Sequence, residues 1–157
     1  MAGKKSGEIT IENCQGKVRL ELGVFEGFLR RVQREMGLGT NAVFVRFVTD
    51  REMARLNGKY RKKPKTTDVL SFPSEERGKP AGLRRRVKAV GSKFLGDVAI
   101  SPVVARRNAQ RFERTLEEEI CVLMLHGALH LLGYDHEADR GEMERVEMKL
   151  RRRLRLT

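Results

Sequence analysis

Cysteine is scarce in this 157-residue chain: Cys14 and Cys121 are the only two, far apart and without a CxxC pair. That excludes a disulfide framework as the source of stability. Long apolar runs are missing too, and nothing approaches the ~20 residues a membrane span requires. The opening Met1-Ala2-Gly3-Lys4-Lys5-Ser6-Gly7 has no apolar segment of the secretory kind. These absences set an expectation of a cytoplasmic protein with no membrane partner. There is no internal repeat at solenoid period and no low-complexity block beyond short basic runs. Acidic residues fall short of basic ones, 21 against 33, and the formal net charge is +12 at pH 7. That excess points to a polyanionic partner, nucleic acid first. Histidine is the last scarcity, with three in the whole chain.

What is present fits one domain over residues 1–157, long enough to bury a sizeable core. Glu8–Glu12 alternates with period two and reads as a strand. From about Leu20 to Met36, apolar residues including Phe25, Phe28, Leu29 and Val32 recur at helical spacing, with Gly37 and Gly39 ending the helix. Ala42–Val48 is β-branched and aromatic, a buried strand. Thr49-Asp50-Arg51-Glu52 carries a capping-box pattern and predicts a helix from about Arg51 to Tyr60; Tyr60 reads as a core-packing residue, with base stacking as its alternative. A basic loop follows, Arg61 to Thr67. Asp68–Phe72 reads as a strand, residues 74–93 as a long loop or hairpin excursion holding the basic run Arg84–Lys88, and Phe94–Ile100 as a further strand. Ser101-Pro102 opens one helix, Thr115-Leu116-Glu117-Glu118 another, and residues 138–153 form a last one. The sum is an α+β domain, a small mixed four-stranded sheet flanked by about five helices. Periodicity does not reveal the strand order.

All three histidines fall in His126-Gly127-Ala128-Leu129-His130-Leu131-Leu132-Gly133-Tyr134-Asp135-His136. His126 and His130 stack one turn apart on one helix face. Gly133 is free to take the positive φ that ends a helix, so the chain turns back and delivers His136. Three imidazoles with one open position describe a catalytic zinc site better than a closed structural one. The spacing i, i+4, i+10 with glycine at i+7 is shared with the metzincin pattern H-E-x-x-H-x-x-G-x-x-H, which makes this a zincin-like metal helix. Where those proteases carry a glutamate base, this chain has Gly127. Cys121 is offset from the histidine stripe and reads as a small buried residue.

HGALHLLGYDH closely resembles the H-G-x-L-H-L-x-G-Y-D-H signature of the YbeY family, bacterial metal-dependent endoribonucleases of ribosomal RNA maturation. Leu56-Asn57-Gly58-Lys59-Tyr60-Arg61 is similar to that family's L-N-x-x-Y-R, Thr67–Pro73 to its T-D-V-L-S-F-P, and Leu95–Ser101 to its L-G-D-I-x-I-S. The likeness runs in order from about residue 45 to 150. It implies that His126, His130 and His136 bind one zinc ion and that Arg61 is the functional arginine of the substrate groove. It further implies single-stranded RNA as substrate, with ribosomal RNA and the small ribosomal subunit as partners, in maturation and ribosome quality control. Another divalent ion such as nickel also suits the ligands. The oligomeric state stays open.

Neutral imidazoles leave a bound metal its full charge, which acidifies a water or polarises a phosphoryl oxygen; which atom then attacks the phosphodiester stays open. A guanidinium fork suits the charge that develops on phosphorus oxygens, and Arg61 is the candidate. Lys59, Lys62, Lys63 and Lys65 are expected to track phosphates. Asp68, Asp97 and Asp135 are candidates to orient a ligand histidine, with turn and loop capping as the plainer roles. Two rival functions stand beside the nuclease: a zinc peptidase, and a non-catalytic metal-containing ribosome-assembly factor that binds RNA.

Overall fold

The computed structural model describes residues 9–38, 42–74 and 94–156. The basic run Arg84–Lys88 and all of the expected excursion beyond Ser74 lie outside the described residues, as does Gly39. Four strands form one sheet: β1 (Ile9–Asn13), β2 (Ala42–Phe47), β3 (Val69–Pro73) and β4 (Phe94–Ile100). Their order is β1-β2-β4-β3, parallel except for the β3–β4 pair, so the sheet is mixed as expected. The described helices are α1 (Leu22–Glu35), α2 (Asp50–Arg61), α3 (Pro102–Arg111), α4 (Leu116–Leu131) and α5 (Glu142–Arg153). None is long and apolar enough to cross a membrane.

Helix α4 is the centre of the molecule. Ile120 to Leu125 form an unbroken buried run, and Ala128, Leu129 and Leu131 continue it. A helix apolar on every side has to be enclosed on every side. Strands β3 and β4 lie beneath it, and α1, α3 and α5 pack around it. Leu125 and Leu129 are fully buried, and truncating either to alanine costs ~2–5 kcal/mol by lost contact and residual cavity. The opposite face of the sheet carries a smaller core of Val48, Met53, Leu70 and Ala99 beneath α2.

Gly127 sets how closely α4 approaches the sheet. A Cβ there would lie 2.7 Å from Val98 Cγ1 and 3.3 Å from Ser71 Oγ. Ser71 Oγ uses the closeness to donate to the Gly127 carbonyl at 3.1 Å. Val98 therefore faces α4, and its neighbours Asp97 and Ala99 face the other way.

The helix starts follow their caps. Thr115 and Glu118 form the complete reciprocal capping box of α4. Thr49 caps α2 through the Glu52 amide, but the Glu52 carboxylate turns instead to Arg55, so only half of the expected box forms. Ser101 accepts from Val104 N at the head of α3 and donates to Asp50 of α2. Helix α5 starts at Glu142, later than the predicted residue 138, because Asp139 accepts from the Gly141 and Met143 amides and so forms the turn before it. Arg61 is the last residue of α2, not the first of the loop. Tyr60 is not a core residue: it is 58% exposed and stands edge-on to Phe72.

Candidate metal centre

The last two turns of α4 bring His126 and His130 onto one face, and a Schellman turn ends the helix beyond them. Gly133 has φ +96°, its N–H donates to the His130 carbonyl, and the Tyr134 N–H donates to the Leu129 carbonyl. Asp135 then accepts from the Glu137 amide and bends the chain, so that His136 comes back over the other two. The three imidazoles each offer a nitrogen, and these lie within 4.8 Å of one another.

The outer nitrogens fix the tautomers. His126 Nδ1 lies 2.9 Å from Glu147 Oε1, and His130 Nδ1 lies 2.9 Å from the Tyr134 carbonyl oxygen. A carboxylate and a carbonyl only accept, so each Nδ1 carries the proton and each Nε2 is left with its lone pair. Burial, reinforced by the neighbouring His126, pushes the His130 imidazole below its ordinary value and keeps it neutral. Yet His130 Nε2 and His126 Nε2 face one another at 3.1 Å. Two acceptors that close call for a shared cation. The donor set thus fits a divalent metal, with protein groups behind two ligands in the way that fixes ring orientation in metal sites.

Glu147 is itself held from its far side. Burial pushes its carboxyl up, but the hydrogen bond from His126 and the nearby Arg151 guanidinium outweigh this, and it stays below the usual glutamate value. It remains an anion behind His126.

The histidines open onto a cleft of about 550 Å³ whose other wall is the end of α2 and the loop after it, with Arg61, Lys63 and Lys65. Lys62 takes the left-handed conformation at φ 57°, and Asn57 binds the loop by donating to the Lys65 carbonyl and accepting from the Lys63 amide. Among the described residues Arg61 has no carboxylate partner, so its guanidinium is available to a ligand. Lys62 does not line the cleft, and neither does Lys59, whose ammonium sits 5.3 Å over the Tyr60 ring. Asp68 lines it, but its oxygens accept from Val69, Thr67 and Asn108 rather than from a histidine. Asp135 shapes the turn. Asp97 is not brought to the cluster: it lies on the α2 face of the sheet near Arg46 and Glu12, where burial pushes its carboxyl up.

A family model described as Endoribonuclease YbeY matches residues 10–155. The chain is 41% identical over 157 residues to an Endoribonuclease YbeY of Solibacter usitatus, covering 99% of this chain and 93% of that one. The chain belongs to the YbeY endoribonuclease family. It is also 38% identical to the Endoribonuclease YbeY of Pelotomaculum thermopropionicum, covering 95% of this chain and 98% of the relative. A solution structure from Thermotoga maritima superposes with a TM-score of 0.61 at 27% identity, covering 94% of this chain and 89% of that one.

In this YbeY-family chain the residue that sequence reasoning missed is Glu147, 21 positions from the histidine it holds. One signal was available. Glu147 lies between Met143 and Leu150 at helical spacing, on the stripe that α5 buries, where a carboxylate is costly without a partner.

Proposed function

We propose that this protein is a zinc-dependent endoribonuclease that cuts single-stranded RNA in the cytoplasm, acting on ribosomal RNA in small-subunit maturation and ribosome quality control. One observation carries the chemistry: two Nε2 atoms with unshared lone pairs and an Arg61 guanidinium that has no carboxylate partner among the described residues face a single cleft. His126, His130 and His136 would hold the metal. Bound there, it supplies Lewis acidity to an attacking water or to the phosphoryl oxygen. Arg61 binds the nonbridging oxygens through parallel N–H bonds and stabilises the charge that grows on them. Lys63 and Lys65 hold the flanking phosphates, Glu147 and the Tyr134 carbonyl keep the rings aimed, and the family resemblance supplies the RNA class. A peptidase reading lacks its base: glycine stands at 127 where that chemistry needs a glutamate, and a Cβ there would press on Val98 at 2.7 Å.

The test is metal analysis of the purified protein, paired with cleavage of a labelled single-stranded oligoribonucleotide. Stripping the metal should abolish cleavage and adding zinc should restore it. His130→Ala should lose both metal and activity. Arg61→Ala should keep its metal and lose roughly 10²–10³-fold in rate, the loss typical of removing one charge-stabilising donor. Cleavage that survives chelation overturns the reading, and tight binding of metal and RNA without cleavage supports the assembly factor instead.

A further inference from the structure

A second hollow, of about 260 Å³, shares His126, Asp68 and Val69 with the main cleft, so the two meet beside the metal centre. Its outer walls are Phe112, Arg114 and Arg151, with Val122 and Leu123 of α4 in the lining. Of these residues only Arg151 touches the machinery described above, through Glu147. Phe112 ends α3 and leaves 54% of its surface in solvent. Glu113, in the left-handed region at φ 54°, turns the chain after it, and the Arg114 guanidinium lies 5.4 Å from the Phe112 ring.

The charges of this hollow differ from those around Arg61. Arg114 is paired at 2.7 Å with Glu119, which is only 3% exposed, and Arg151 is paired at 3.5 Å with Glu147. Each guanidinium is thus already neutralised, and a phosphate finds little net attraction. Hydrogen-bonding capacity nevertheless remains. A guanidinium carries five N–H donors, and among the described residues the paired carboxylates reach only Arg114 Nη1 and Arg151 Nη2. A neutral, planar ligand with acceptor atoms on its edge suits such a place, and a nucleobase has that chemistry.

We propose that this hollow is a nucleobase pocket for the nucleotide next to the cleaved linkage, with Phe112 stacking the base and Arg114 and Arg151 binding its acceptor edge. The inference rests on the nuclease reading and adds a specificity-determining subsite to it. Phosphate is held on the Arg61 side of the metal, and one neighbouring base is held on the Phe112 side. The pocket favours strands whose bases are unpaired, because a base stacked within a duplex cannot enter it.

The experiment uses the full chain, zinc-loaded for cleavage and metal-stripped for binding, and a single-stranded oligoribonucleotide, intact or with one abasic residue on either side of the cleaved linkage. Binding is read by fluorescence anisotropy, with metal removed to prevent turnover, and cleavage is read on the same strands. Wild-type protein should lose about tenfold in affinity and in kcat/KM for an abasic residue on one side only. Phe112→Ala should lose about tenfold on the intact strand and nothing further on that abasic strand, while Phe112→Trp should retain the intact-strand values. An abasic penalty of the same size in Phe112→Ala, or no penalty in either protein, overturns the pocket while cleavage still upholds the nuclease. Binding that shows the Phe112-dependent penalty without cleavage upholds the pocket and overturns the nuclease. Failure to bind the strand at all overturns both.

Discussion

Glu147 and Gly127 act around the histidine cluster, one through charge and the other through volume. Glu147 holds the His126 ring by a 2.9 Å hydrogen bond and is in turn held by Arg151. Replacing it by glutamine keeps the shape, removes the negative charge, and lets an amide N–H turn towards the ring. Glu147→Gln should therefore fold normally by circular dichroism and bind zinc roughly 10–100-fold more weakly, as measured by competition with a chromophoric chelator. Unchanged affinity would show that the ring needs no carboxylate behind it. Gly127→Ala acts on packing. Its methyl would meet the branched Val98 side chain at 2.7 Å, and a β-branched residue on a strand has few other rotamers to use. The expected cost is about 1–3 kcal/mol in urea unfolding. Combining it with Val98→Ala should cost less than the two single changes added together, because the second change clears the space the first needs.

At the scale of elements, the end of α4 is where conformation sets the geometry of the three histidines. Gly133 sits at φ +96°, further into positive φ than the usual left-handed minimum. Gly133→Ala should cost at least about 1–2 kcal/mol, and it should also weaken zinc binding, because Tyr134 O follows the turn and holds His130 Nδ1. A loss of stability with metal affinity intact would separate the turn from the site. This same element shows what was legible in the sequence. The capping box of Thr115 and Glu118, the histidine spacing and Gly133 are local signals with local causes, so both ends of α4 and the face that gathers its histidines could be read. The unions across the fold could not. Glu147 reaches His126 only because α5 packs on α4, and Asp97 misses the cluster only because Val98, not Asp97, faces that helix. Among the lysines, composition could not distinguish Lys63 and Lys65 from Lys62. Their separation depends on a left-handed residue and on the grip of Asn57, which no periodicity announces.

For the whole molecule, the same depressed protonations that prepare the site make the fold acid-sensitive. His130 is held below the 6.5 of an unperturbed histidine by burial and by His126. On acidification the unfolded chain therefore takes up a proton near that pH while the folded chain still resists it. The unfolded state then binds more protons, so stability falls as pH drops below about 6.5, until the folded imidazole also charges. Glu147 shifts in the same direction, below its ordinary 4.5, and its contribution is present above that value and lost as pH falls through its folded value. The formal +12 charge adds self-repulsion as carboxylates neutralise. Urea unfolding of the metal-free protein should thus show a midpoint that declines between pH 7.5 and 5.5 and falls further towards pH 4. In His130→Gln the first decline should be smaller and the second retained, since the glutamine has no proton to gain. An identical decline in both proteins would place the acid sensitivity elsewhere, and would remove the case that burial keeps His130 neutral and ready to bind a metal.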